Sequence, residues 1–132
     1  MTTPDQRWHA SLGKSAHGFG SASSPILFEN LLIMQADIEA KALVALDKKT
    51  GKEAWRVETG IGDTWSTPLV VEANGRKELV FHHSQGQPTG KLAAVDPRTG
   101  RELWECNVLK DYLCPSPVPH DGAVYLLRYT RS

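Results

Sequence analysis

Ala45-Leu46-Asp47-Lys48-Lys49-Thr50-Gly51-Lys52-Glu53-Ala54-Trp55 returns 49 positions later as Ala94-Val95-Asp96-Pro97-Arg98-Thr99-Gly100-Arg101-Glu102-Leu103-Trp104. Asp, Thr-Gly, Glu and Trp all keep register, the mark of a duplicated structural unit rather than of chance. In each copy Asp47 or Asp96 can accept backbone N–H bonds from its own turn. Gly51 or Gly100 can take the left-handed conformation that closes that turn. The motif is therefore first of all turn chemistry: Asp47, Thr50 and Gly51, then Asp96, Thr99 and Gly100, with Trp55 and Trp104 on the strands that follow.

A second landmark travels with the first. Ser24-Pro25-Ile26-Leu27, Thr67-Pro68-Leu69-Val70 and Ser116-Pro117-Val118 each lead apolar residues, and Pro68 and Pro117 both lie 13 positions after the tryptophan of the motif. Trp8 precedes Pro25 by 17 positions, which marks it as the tail of an earlier unit lacking its Asp-x-x-Thr-Gly turn.

Between the landmarks run short stretches rich in Val, Leu, Ile and aromatics, broken by turn residues and without a helical period, so the chain reads as all-β. The first unit predicts strands near Pro25 to Phe28, Leu31 to Ala36, Ala42 to Leu46 and Ala54 to Glu58. The second repeats them near Pro68 to Val71, Glu78 to Ser84, Leu92 to Val95 and Glu102 to Cys106. The third predicts two, near Pro117 to Pro119 and Ala123 to Tyr129. Asn74-Gly75 and Asp121-Gly122 supply the positive φ values of a two-residue hairpin turn, with Glu29-Asn30 in the matching place of the first unit.

At these residues the sequence resembles the PQQ-like, or quinoprotein-like, β-propeller repeat family, whose units read Ala-x-Asp-x-x-Thr-Gly-x-x-x-Trp after a Ser-Pro-led strand. The resemblance covers about Pro25 to Tyr129. It implies four-stranded antiparallel blades, with Trp55 and Trp104 stapling neighbouring blades. Residues 1–23 are then a lead-in with the outer strand of a preceding blade, 24–65 a first blade, 66–115 a second and 116–132 part of a third. A propeller ring needs at least four blades. The expectation is thus an incomplete propeller: a fragment of a longer bacterial polypeptide, a set of copies that complete one another, or an open array with exposed edges.

Function follows from the resemblance in two directions. One is a non-enzymatic, protein-binding or scaffold segment similar to the propeller of outer-membrane barrel assembly, with further blades in cis or in trans, or a homo-oligomer, as partners. The other is a piece of a quinoprotein dehydrogenase dependent on PQQ and calcium; a third reading is a sensor domain that displays loops. The chain alone is expected to hold no cofactor. The dehydrogenases' adjacent cysteine pair is missing, and Asp37, Glu39 and Asp63 sit at strand ends with nothing to make them converge on a cation that wants six to eight oxygen ligands.

Other candidates read as bland. His82 and His83, followed by Ser84-Gln85-Gly86-Gln87, point to opposite faces of an extended strand, so they are expected as surface histidines rather than as joint ligands of a metal. Trp65 falls outside the repeat and, with His82 and His83, is a candidate ligand contact. His17-Gly18-Phe19-Gly20-Ser21 precedes a strand, whereas a phosphate cradle needs a following helix. No Gly-x-Ser-x-Gly elbow presents a nucleophile, and no residue earns a catalytic role.

Composition closes off further classes. Lys plus Arg equal Asp plus Glu at 15 each, which leaves no basic excess for nucleic acid or an anionic membrane. The longest apolar runs, Leu31 to Met34 and Lys41 to Leu46, are far short of a membrane helix. Met1 to Lys14 is polar and reads without an export signal. Cys106 and Cys114 stand eight apart without zinc spacing, either as two thiols or, in an oxidising compartment, as a disulfide.

Overall fold

The computed structural model describes residues 5–15, 17–60, 64–83, 90–108 and 114–127. Asp63, Ser84 to Gln87 and Tyr129 lie outside them.

Among the described residues ten strands and one helical turn follow in chain order. They are β1 (Ile26–Phe28), β2 (Leu31–Ala36), α1 (Asp37–Ala40), β3 (Ala42–Asp47), β4 (Glu53–Glu58), β5 (Leu69–Ala73), β6 (Arg76–His83), β7 (Gly90–Val95), β8 (Glu102–Val108), β9 (Val118–His120) and β10 (Ala123–Tyr125). They form two four-stranded antiparallel sheets, β1-β2-β3-β4 and β5-β6-β7-β8, and a two-stranded pair, β9-β10. The fold is an incomplete propeller of four-stranded blades.

The two sheets are built alike down to their irregularities. Ala45 faces Trp55 and Ala94 faces Trp104, and in both sheets the register slips by one residue immediately beyond. Each slip is a β-bulge, which bends and twists the outer strand. The Asp turns also match. Asp47 Oδ1 accepts the N–H groups of Lys49 and Thr50, Asp96 Oδ1 accepts that of Arg98, and Gly51 and Gly100 donate to the carbonyls of Asp47 and Asp96 at 2.8 Å. Those backbone donors hold the Asp47 carboxyl below its ordinary pKa, Thr50 first and Lys49 next. Gly51 and Gly100 take φ of 73° and 74°. Hairpin turns at Asn74-Gly75 and Asp121-Gly122 have positive φ at both residues, and Glu29 takes 52° in the first unit.

The core lies between the sheets. Leu31, Ile33, Leu43 and Ala45 of the first sheet meet Leu79, Phe81, Ala93 and Val95 of the second, flanked by Trp55 and Val57. Because side chains alternate along a strand, the other residues of the central strands face outward. Ala42, Val44 and Leu46 pack under Trp8, Ala10 and Leu12. Val80, Leu92 and Ala94 pack under Trp104, Val124 and Leu126. The central strands are thus buried on both faces, which is why they read as nearly continuous apolar runs.

One element departs from the all-strand reading. Asp37–Ala40 closes a single helical turn, ended by Lys41 at φ 52° with its N–H on the Asp37 carbonyl at 3.1 Å. Four residues are too few to display a helical period in sequence.

Candidate functional site

The repeat residues build a joint at the outer edge of each sheet. Trp8 Nε1 donates to the Lys48 carbonyl at 2.9 Å, and Trp55 Nε1 donates to the Pro97 carbonyl at 3.2 Å. Both acceptors directly follow the turn aspartate. In both cases the indole lies over the turn glycine: a Cβ on Gly51 would fall 2.6 Å from Trp8, and one on Gly100 would fall 2.8 Å from Trp55. The glycine is therefore required twice, by its φ and by the indole lying against it. Around the second joint Arg98 bonds Glu29 at 2.5 Å and lies 5.3 Å over the Phe28 ring, tying the turn of the second sheet to the first hairpin.

A second joint, at the inner edge, uses the Ser/Thr-Pro landmark. Thr67 Oγ1 accepts the Ser24 N–H at 3.0 Å, and Ser116 Oγ accepts the Thr67 N–H at 2.8 Å. Ser23 Oγ adds a bond to the Ser66 carbonyl at 2.8 Å. The hydroxyl of each unit thus takes the amide of the unit before it. The sequence signal for this role is the recurrence of a hydroxyl before proline, which by itself does no more than phase the strands.

At the end of the sheets formed by α1 and the last residues of β6, a buried polar network crosses from one sheet to the other. Gln35 Nε2 donates to Asp37 Oδ2 at 2.9 Å and to the His82 carbonyl at 2.5 Å, while the Thr59 hydroxyl donates to Asp37 Oδ1. Desolvation raises the Asp37 pKa above its ordinary value; the bonds from Thr59 and Gln35, and the Thr64 hydroxyl facing the same carboxyl, counter it. The surface reading of His82 and His83 is corrected here: they are only 5% and 3% exposed. Desolvation lowers both rings, His82 to about 4, with His83 adding to the effect on His82. His83 stacks on Phe81 at 5.3 Å. Among the described residues His82 Nε2, His83 Nδ1, Gln35 Oε1, Glu39 Oε1 and Ser66 Oγ are buried without hydrogen-bond partners.

Trp65 lies apart from the histidines. Its Nε1 donates to the Gly20 carbonyl at 2.9 Å and its ring meets His17 edge-on at 5.1 Å. With Phe19, Ala22, Thr67, Cys114 and Ser116 it lines an apolar hollow of about 630 Å³. The three candidate ligand contacts therefore do not share a site. Cys106 and Cys114 are both exposed free thiols.

Among the described residues, which do not include Asp63, no three His, Cys, Asp or Glu side chains gather to hold a metal. Among them, too, no helix is long and apolar enough to cross a membrane.

Successive four-stranded sheets, joined at one edge by an indole on a turn and at the other by a hydroxyl on an amide, define a β-propeller repeat protein. The chain belongs to the family described as outer membrane protein assembly factor BamB, which matches residues 2–113. It is 27% identical to BamB of Salmonella typhimurium over 121 residues, covering 91% of this chain and 30% of that protein. It is 44% identical to a 1-butanol dehydrogenase (quinone) of Thauera butanivorans over 71 residues, covering 48% of this chain and 11% of the dehydrogenase. The crystal structure of BamB from Moraxella catarrhalis superposes with a TM-score of 0.59 at 18% identity, over 91% of this chain and 33% of that one. The chain thus spans a third or less of the length of these relatives.

Proposed function

We propose that this chain is a protein-binding repeat module of the assembly-factor type, acting as a scaffold rather than as a quinone-dependent enzyme. One observation carries the reading: the likeness to BamB runs through 91% of the chain, whereas that to the dehydrogenase is confined to 48%. In this reading residues 24–65 and 66–115 are two blades, 1–23 carry the outer strand of a preceding one and 116–132 begin a third. Further blades in cis or in trans, or other copies, are its partners. Trp65, which lines the apolar hollow, remains a candidate for contact with a bound chain, whereas His82 and His83 are buried away from one.

The rival reading, a piece of a PQQ- and calcium-dependent dehydrogenase, draws on the higher identity of that shorter match. A ligand bound only by the folded state must raise its melting point, so PQQ with calcium in excess distinguishes the two. The scaffold reading expects unchanged melting and an unchanged quinone spectrum. Stabilisation by several degrees at about 100 times Kd, with a shifted quinone band, would overturn it.

A further inference from the structure

Phe19 is, at 85%, the most exposed large apolar side chain among the described residues, yet the turn that carries it is well bonded. The Ser15 hydroxyl donates to the His17 carbonyl at 2.7 Å, and the Gly20 N–H donates to the same carbonyl at 3.2 Å. The Phe19 N–H donates to His17 Nδ1 at 3.4 Å, and Trp65 Nε1 anchors the turn through the Gly20 carbonyl. Fixing an apolar ring in water costs rotamer freedom and gains no burial. A partner that covers the ring supplies that burial.

The hollow beside Phe19 has the shape and polarity for one. Its lining comes from the three segments that lead into the Ser/Thr-Pro landmarks: Phe19 and Ala22, Trp65 and Thr67, Cys114 and Ser116. It therefore exists only once the sheets are stacked. The Phe19 ring lies within 29° of the His17 plane and Trp65 stands at 88° to that plane, so Phe19 and Trp65 rise steeply to one another as two walls. No Lys, Arg, Asp or Glu lines it. Its hydroxyls are already engaged as acceptors, Thr67 Oγ1 of the Ser24 N–H and Ser116 Oγ of the Thr67 N–H. Each hydroxyl proton is left to donate, with no acceptor among the described residues.

Apolar walls with hydroxyl donors and no charge select their occupant. A carboxylate would meet no cation there, and a hydrocarbon chain would leave both hydroxyl protons unused. A peptide unit with a large side chain carries an apolar group and a carbonyl acceptor on neighbouring atoms. We propose that this hollow receives one such side chain, Phe or Leu, from an uncharged extended segment of a partner protein, the main-chain carbonyl beside it accepting from Thr67 or Ser116. This rests on the protein-binding reading above and names where the bound chain is held.

The two exposed thiols allow a direct test, because Cys114 lines the hollow and Cys106 does not. The probe is an end-capped hexapeptide, acetyl-Gly-Ser-Phe-Thr-Ser-Gly-amide, with Ala, Glu or Lks in place of Phe as controls. In the full chain labelled with ¹⁵N, the Trp65 indole N–H resonance, assigned through Trp65→Phe, should shift and saturate with the Phe peptide and give its Kd. At about five times that Kd, alkylation of Cys114 by iodoacetamide should slow roughly sixfold while Cys106 reacts unchanged, as mass action requires. The Ala, Glu and Lys peptides should bind at least tenfold more weakly. Ala22→Trp, which fills the hollow from an exposed position, should abolish the protection, and Phe19→Ser should weaken binding at least fivefold, both with unchanged melting. Equal protection by the Ala peptide, protection that survives Ala22→Trp, or no effect of the Phe peptide up to about 10 mM would overturn the pocket. Peptide binding that leaves Cys114 and Trp65 untouched would also overturn it, with the protein-binding reading left standing. Protection of Cys114 by PQQ with calcium instead of by the peptide would overturn both.

Discussion

Gly100 shows how two demands meet at one residue. Its φ of 74° disfavours any side chain, and Trp55 occupies the place of a Cβ. Gly75 shares the conformation, with φ of 72°, but faces open space. Gly75→Ala should therefore cost about 1 kcal/mol from backbone conformation alone, and Gly100→Ala about 2–4 kcal/mol once overpacking against the indole is added. Urea unfolding of both variants measures the difference, and a double-mutant cycle with Trp55→Leu should recover part of it. Equal costs would mean that the indole does not rest on the turn. The glycine was legible in sequence because its demand is local and repeated. The burial of His82 was not, since it depends on sheets and loops distant in the chain. A ring near 4 when folded and 6.5 when unfolded contributes about 3 kcal/mol, fully present above pH 6.5 and lost as pH falls toward 4. His83 acts in the same direction, whereas Asp37, raised from 3.8 by burial, acts in the opposite sense, its contribution fading as pH rises above 3.8. Unfolding free energies at pH 7.5 and 4.5 should show this loss. His82→Gln, which places at this position the residue that Gln35 already is in the first sheet, should reduce it by at least half.

Strands were legible to within a few residues because alternation, two-residue turns and proline punctuation are short-range signals. What joins one sheet to the next was less so, since an inter-sheet bond is made between residues some 40 positions apart. The Ser/Thr-Pro landmark is the case in point. Its periodic recurrence is visible in the chain, while the direction of its bond, from the Ser24 amide to the Thr67 hydroxyl and from the Thr67 amide to the Ser116 hydroxyl, emerges only once the sheets are stacked. Thr67→Val keeps the shape and removes the acceptor, so it should cost about 1 kcal/mol, and Thr67→Ser should cost less than half of that. Hydrogen exchange supplies the local readout: the Ser24 amide should lose protection in the valine variant and keep it in the serine variant. Exchange unchanged by Thr67→Val would show that the inner edge is held by strand packing alone.

As a whole the molecule is two well-buried sheets with unequal sides. Toward Trp8 the first sheet is covered by a segment whose alternate residues fill its outer face. On the opposite side the β9-β10 pair covers the second sheet incompletely and leaves Val118, Tyr125 and Leu127 more than half exposed. Among the described residues β10 is a short strand with an unpaired edge and apolar side chains, a template for association. The formal net charge of zero at neutral pH supplies no repulsion against it. Tyr125, paired to Val118 and 56% exposed, is where a charge should act on association without touching the core. Tyr125→Lys should leave the unfolding free energy within about 0.5 kcal/mol and lower light scattering near pH 7 over a concentration series. Tyr125→Phe should leave the scattering unchanged. If scattering instead followed the thiols, falling with reductant and indifferent to the Tyr125→Lys change, association would run through the exposed Cys106 or Cys114 rather than the open edge.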